Sequence, residues 1–155
     1  MLEVTAVRLG SQHFLDGLPA GQLDALAEAA SEVIFPAGHR LFADGDYAGH
    51  FWLIELGSVV LDVLVPGNGR TVVGRVGLGG LVGWSWLLPP YRWAFGAVSA
   101  TEVTAFQFDA AAVRQRCAAD PSLAAELARR LLPVVAGRLY GTRSRLLIGE
   151  DSPQA

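Results

Sequence analysis

After Leu18-Pro19, the apolar residues Leu23, Leu26, Ala27 and Ala30 recur at helical spacing on one face, which predicts a short helix over Gly21–Ala30. From Val33 the period changes to two. Short alternating segments at Val33–Phe35, Arg40–Phe42, Phe51–Glu55, Ser58–Val65, Thr71–Val76, Phe95–Ala100 and Val103–Phe108 read as strands. The breakers between them are Pro36-Ala37-Gly38, Asp44-Gly45-Asp46, Gly57, Pro66-Gly67-Asn68-Gly69 and Gly77 to Gly80. Asn68-Gly69 supplies the positive φ of a hairpin turn, so Pro66–Gly69 is a predicted tip. Regular short strands with Gly-rich turns argue a sandwich, roll or barrel.

After Asp109 the helical period returns. Asp109 is a suitable N-cap for a helix over Ala110–Ala119. Asp120-Pro121 opens a second helix to about Leu147, with a kink or interruption expected around Pro133, Gly137 and Gly141. Leu123, Leu127, Leu131, Val134, Val135 and Leu139 form a stripe broader than one small domain needs, and Leu146 and Leu147 extend it. A homodimer through this helix is therefore expected.

The whole chain, residues 1–155, is expected to form one domain, with a roll over about 33–108 and C-terminal helices over about 110–148. A hydrophobic content of 52% against 17% charged residues allows a sizeable core and leaves apolar surface for a protein partner. The apolar runs are too interrupted to span a membrane, and Met1–Gly10 carries Glu3 and Arg8 rather than a signal-peptide apolar block. With a single Cys117 and hence no internal disulfide, a cytoplasmic location is expected. A net charge of −3 argues against bulk attraction to nucleic acid. All 12 basic residues are Arg, and seven of them lie between Arg114 and Arg145.

Phe35-Pro-Ala-Gly38, Leu41-Phe-Ala-Asp-Gly-Asp46 and Phe51-Trp-Leu-Ile-Glu-Leu-Gly57-Ser-Val59 together resemble the cyclic-nucleotide-binding domain family. The likeness continues through Gly77-Leu-Gly-Gly-Leu-Val-Gly83 to Arg92 and covers roughly Leu15 to Leu147. It implies a mainly β fold with flanking helices: a double-stranded, jelly-roll-like β-roll with an N-terminal helix and a long C-terminal helix. In that family a short helix and loop cradle a cyclic phosphate through backbone N–H groups and one Arg, and a Glu binds the ribose hydroxyl. The matching stretch here runs Gly83-Trp84-Ser85 to Arg92-Trp93-Ala94-Phe95. Trp84 stands where the family has Glu, and Phe95 where many members have Ser or Thr. By the same resemblance, Thr142 and Arg143 on the long helix stand where family members reach the ligand base.

Several of these residues read two ways. Arg92 is either an anion clamp inside the roll, or a surface loop Arg, or an Arg stacked on Trp93 or Tyr91. Trp84, Trp86 and Trp93 either reshape a pocket or form a partner-facing aromatic patch, or they fill core around a tight turn. Thr142 and Arg143 are ligand contacts or plain helix surface. Arg129, Arg130, Arg138, Arg143 and Arg145 are a basic patch or the solvated face of a helix. His13, His39 and His50 would fit a cupin-type metal enzyme only if they converged, and no His-x-His pair is present. Cys117 has no neighbouring His to make it a nucleophile. A non-enzymatic sensor without a cofactor is therefore expected, binding a cyclic nucleotide or other small anion and signalling through its C-terminal helix. The alternative is a scaffolding module that kept the roll and lost the ligand. With Ala155 directly after the long helix, no helix-turn-helix and no direct DNA binding are expected.

Overall fold

The change of period at Val33 marks a real change of architecture. The computed structural model describes residues 3–151, with side chains up to residue 141. Two helices precede the roll: α1 (Ala6–Gly10) and α2 (Ala20–Glu28). The first was not foreseen. Thr5 caps it, its Oγ1 accepting from the Arg8 N–H at 3.2 Å, and Leu9 is fully buried. The second stops at Glu28, short of Ala30, because Ala30 already pairs with Phe108 in the sheet.

Eight strands follow: β1 (Ala30–Phe35), β2 (Arg40–Phe42), β3 (His50–Leu56), β4 (Val59–Val65), β5 (Gly69–Val76), β6 (Leu81–Val82), β7 (Gly96–Ser99) and β8 (Val103–Asp109). They form two four-stranded antiparallel sheets, ordered β1-β8-β3-β6 and β2-β7-β4-β5. Consecutive strands often change sheets, as a jelly-roll-like double-stranded roll requires. The expected hairpin is β4-β5, with positive φ at Gly67 and Gly69. Leu53, Ile54, Val59, Val82, Phe106 and Phe108 are all buried in one hydrophobic core, with Ile54 and Leu53 on opposite faces of β3 and Phe106 covered on its outer side by Arg8 of α1.

The second sheet also carries an ion cluster. Asp62 on β4 is only 7% exposed and accepts from Arg40 on β2 at 2.8 and 3.2 Å and from Arg70 on β5 at 3.0 Å. Arg70 also donates to Asp44 at 2.5 Å. Burial alone would raise the Asp62 carboxyl. The hydrogen bonds from Arg40 and Arg70 outweigh it and hold its pKa below the ordinary carboxylate value.

Helix α3 spans Ala110–Ala119 as expected, its N-cap Asp109 accepting from the Ala112 N–H at 3.1 Å. Helix α4 spans Pro121–Asp151 without the expected interruption at Pro133. Pro133 lies on the exposed side, where solvent satisfies the carbonyl freed four residues back, so the damage stays local. The apolar stripe of α4 is divided. Leu123, Leu127 and Leu131 are buried in the chain's own core, while Leu132, Leu139 and Tyr140 are exposed. The side chains of Leu146 and Leu147 lie outside the described residues.

Candidate functional site

The segment between β6 and β7 is held from three directions. At its start Gly83 has φ +96°, and Ser85–Leu87 form one 3-10 turn. Trp86 is fully buried and stacks on Phe51 of β3, ring centroids 4.1 Å apart. Arg114 of α3 donates to the Trp86 carbonyl at 2.7 Å and to the Tyr47 hydroxyl at 3.1 Å, with its guanidinium 4.1 Å above the Tyr91 ring. The backbone of Trp93 is fixed on both sides: its N–H donates to the Asp46 carbonyl and its carbonyl accepts from the Gly45 N–H.

Alternation along this stretch decides which side chain enters the roll. Trp93 is buried and stacks on Phe42 at 3.9 Å. Its neighbours Arg92 and Ala94 are exposed, and Arg92 lies over the outer Tyr47 ring at 6.0 Å. Adjacent residues of an extended segment cannot both face inwards, and an indole is far cheaper to desolvate than a guanidinium. The anion clamp expected at Arg92 therefore does not line the roll cavity.

That cavity lies at the mouth of the roll, between the Gly83–Phe95 segment and α4. It is lined by Phe42, Leu61, Gly83, Trp84, Ser85, Trp93, Phe95 and Arg138. Its free space is about 10 Å3, the room of about one water. Of the residues expected from sequence, Gly83, Trp84, Ser85, Trp93 and Phe95 converge here. Arg92 and Ala94 do not, and the side chains of Thr142 and Arg143 lie outside the described residues.

Arg138 was missed as a lining residue, having been grouped with the solvated arginines. It stands two turns after the buried Leu131, on the continuation of the buried face. Burial pulls its guanidinium pKa below the usual arginine value, and among the described residues it has no hydrogen bond or ion pair. Its Nη1 lies 4.0 Å from the point where a Cβ on Gly74 would be, so the bare backbone of β5 makes room for it. Trp84 meets Phe95 edge-on at 5.8 Å and also walls a second, apolar hollow of about 300 Å3 formed by Leu87, Leu88, Leu131, Leu132 and Val135.

Among the described residues no group of three or more His, Cys, Asp and Glu is placed to hold a metal ion, and His39 is stacked on Phe35. Burial pushes the Cys117 thiol up, away from nucleophilic character. No helix among the described residues is long and apolar enough to cross a membrane.

The two-sheet roll with its flanking helices agrees with comparison to known proteins. Residues 32–120 match the sequence profile of the cyclic nucleotide-binding domain. The chain belongs to that family. The domain is 30% identical over 147 residues, 94% of its length, to the CRP-like cAMP-activated global transcriptional regulator of Mycobacterium tuberculosis, and it spans 64% of that regulator's length. A putative cyclic nucleotide-binding protein from Geobacter metallireducens superposes with a TM-score of 0.77 at 25% identity, over 90% of this chain and 99% of that one. The catabolite activator protein of Thermus thermophilus shares the fold, with a TM-score of 0.68 at 21% identity over 87% and 62% of the two chains.

Proposed function

We propose that the domain is a non-enzymatic regulatory sensor that binds a small anion, of the cyclic-nucleotide kind, in the roll cavity. Occupancy is passed to α4. The observation that carries this reading is Arg138, a half-buried cation without a countercharge among the described residues, set on the helix that leaves the roll. An anion that pairs with it gains a charge-assisted hydrogen bond in a poorly solvated place and pulls directly on α4. Trp84 walls both the cavity and the apolar hollow beside α4, so occupancy of one reshapes the other.

Thermal shift against cyclic mono- and dinucleotides tests this reading. A member of the panel is expected to raise the melting temperature. Arg138→Gln should abolish that rise while leaving the unliganded protein no less stable, because among the described residues no partner is lost. Cyclic AMP itself should bind more weakly than micromolar. Trp84 replaces the charged acceptor for the ribose hydroxyl, a loss of roughly 1.5–3 kcal/mol, or about one to two decades of affinity. A shift that persists in Arg138→Gln, or calorimetry giving sub-micromolar cyclic AMP binding, would overturn the respective point.

One observation favours a second reading, a protein-interaction module that has lost its ligand: the aromatic rings leave the cavity room for about one water. Under that reading no nucleotide shifts the melting curve, and the apolar hollow beside α4 is the working surface.

A further inference from the structure

The rings that nearly fill the cavity are not equivalent. Trp86 lies outside its lining, stacked on Phe51, whereas Trp93 forms part of the cavity wall. Its indole lies almost flat on Phe42, centroids 3.9 Å apart and planes 18° from parallel, and Phe42 in turn stacks towards Trp52 at 5.5 Å. Its far edge occupies the volume that any side chain at position 83 would need. A Cβ on Gly83 would fall 2.4 and 2.6 Å from two atoms of the six-membered ring. The indole thus fills a flat slot bounded by Gly83 and floored by Phe42, next to a guanidinium with no hydrogen bond or ion pair among the described residues.

Arg138 is half-buried with no partner among the described residues, whereas a cation drawn out of water is ordinarily paired. Residues 92 and 94 on either side are exposed, and two backbone hydrogen bonds hold the main chain of Trp93. Displacement of the indole is therefore a matter of its side-chain torsions and of its stacking on Phe42, with the main chain held in place.

We propose that Trp93 is a resident stand-in for part of the ligand: the cognate ligand is a planar aromatic anion whose ring replaces the indole on Phe42 and whose acidic group meets Arg138. This rests on the sensor reading above and narrows it to a ligand class. It makes Trp93 the specificity-determining residue, since a small inorganic anion has no ring with which to displace it.

The test uses the full chain with Trp93→Ala and two probes that differ only in the acidic arm, indole and indole-3-acetate, followed by calorimetry. The variant should bind indole-3-acetate at least tenfold more tightly than wild type does and at least tenfold more tightly than it binds indole. Adding Arg138→Gln should remove the preference for the acid. A variant that binds neither probe, or an acid preference that survives Arg138→Gln, overturns the proposal.

If Trp93→Ala does not fold, wild-type protein labelled with 5-fluorotryptophan supplies the same answer. Millimolar indole-3-acetate should move the Trp93 fluorine resonance, identified with Trp93→Phe, and leave that of Trp86 in place. Binding that saturates without moving Trp93 overturns this inference alone and leaves the sensor reading intact. If no anion from either panel binds the wild type at all, the sensor reading falls and the inference falls with it.

Discussion

Gly83 and Trp93 are a matched pair, and the match sets a stability prediction. Gly83→Ala must hold a left-handed backbone, at roughly 1–2 kcal/mol, and must also push aside a ring 2.4 Å from the new methyl, at roughly 1–3 kcal/mol for overpacking. Urea unfolding should show a total loss of about 2–5 kcal/mol, and a loss under about 1 kcal/mol would mean that the ring relaxes freely. At this scale the sequence was only partly legible. The glycine at 83 and its aromatic neighbours were found, because the family resemblance points to them. Sequence order points to Arg92 as the arginine beside the cavity, whereas Arg138 lines it and Arg92 is exposed, because order shows which residues lie in a loop but not which of two neighbours turns inwards. Helical periodicity held the missing signal, since Arg138 continues the face of Leu127 and Leu131.

At the scale of elements, the second sheet depends on acid–base state. The Asp62 carboxyl is held below its ordinary value by Arg40 and Arg70, and the Asp44 carboxyl by the hydrogen bond from Arg70. A depressed folded pKa contributes stability that is fully present above the unfolded value, about 3.8, and is lost as pH falls through the folded one. Asp62→Asn should therefore lower stability at pH 7 and flatten the acid limb of the stability profile below about pH 4. Urea midpoints measured between pH 2 and 7 check this, and an unchanged acid limb would show that the pairs contribute nothing. Strand alternation and glycine corners made seven of the eight strands legible. The exceptions were β6, with two residues, and α1, with five, both too short for any period to show.

At the scale of the molecule, the divided stripe of α4 revises the expected dimer. Leu131 is 5% exposed and belongs to the roll's own core, whereas Leu139 is 67% exposed. A two-fold contact through Leu132, Leu139 and Tyr140 would bury surface that now meets water, at roughly 1.5–3 kcal/mol for each large side chain fully covered. Light scattering should give a mass about twice 16.4 kDa. Leu139→Glu should halve it without changing the melting temperature of the monomer, whereas Leu131→Glu should unfold the roll. A wild-type mass near 16.4 kDa at micromolar concentration would exclude the dimer. The sequence showed how much apolar surface α4 carries. It did not show how that surface is shared between the chain's own core and the outside, because the share depends on where the sheets end.

The continuity of α4 past Pro133 has a mechanical consequence. Held in the core by Leu123, Leu127 and Leu131, the helix is a lever whose fulcrum lies near Leu131. At about 1.5 Å of rise per residue, Arg138 sits roughly 10 Å beyond that fulcrum and Asp151 roughly 30 Å beyond it. A sideways displacement at the guanidinium therefore reaches the far end magnified nearly threefold, about 3 Å for each 1 Å at Arg138. A break at Pro133 would have freed the half that carries both Arg138 and Asp151 from the buried Leu123–Leu131 half, and its direction would no longer be set by the roll.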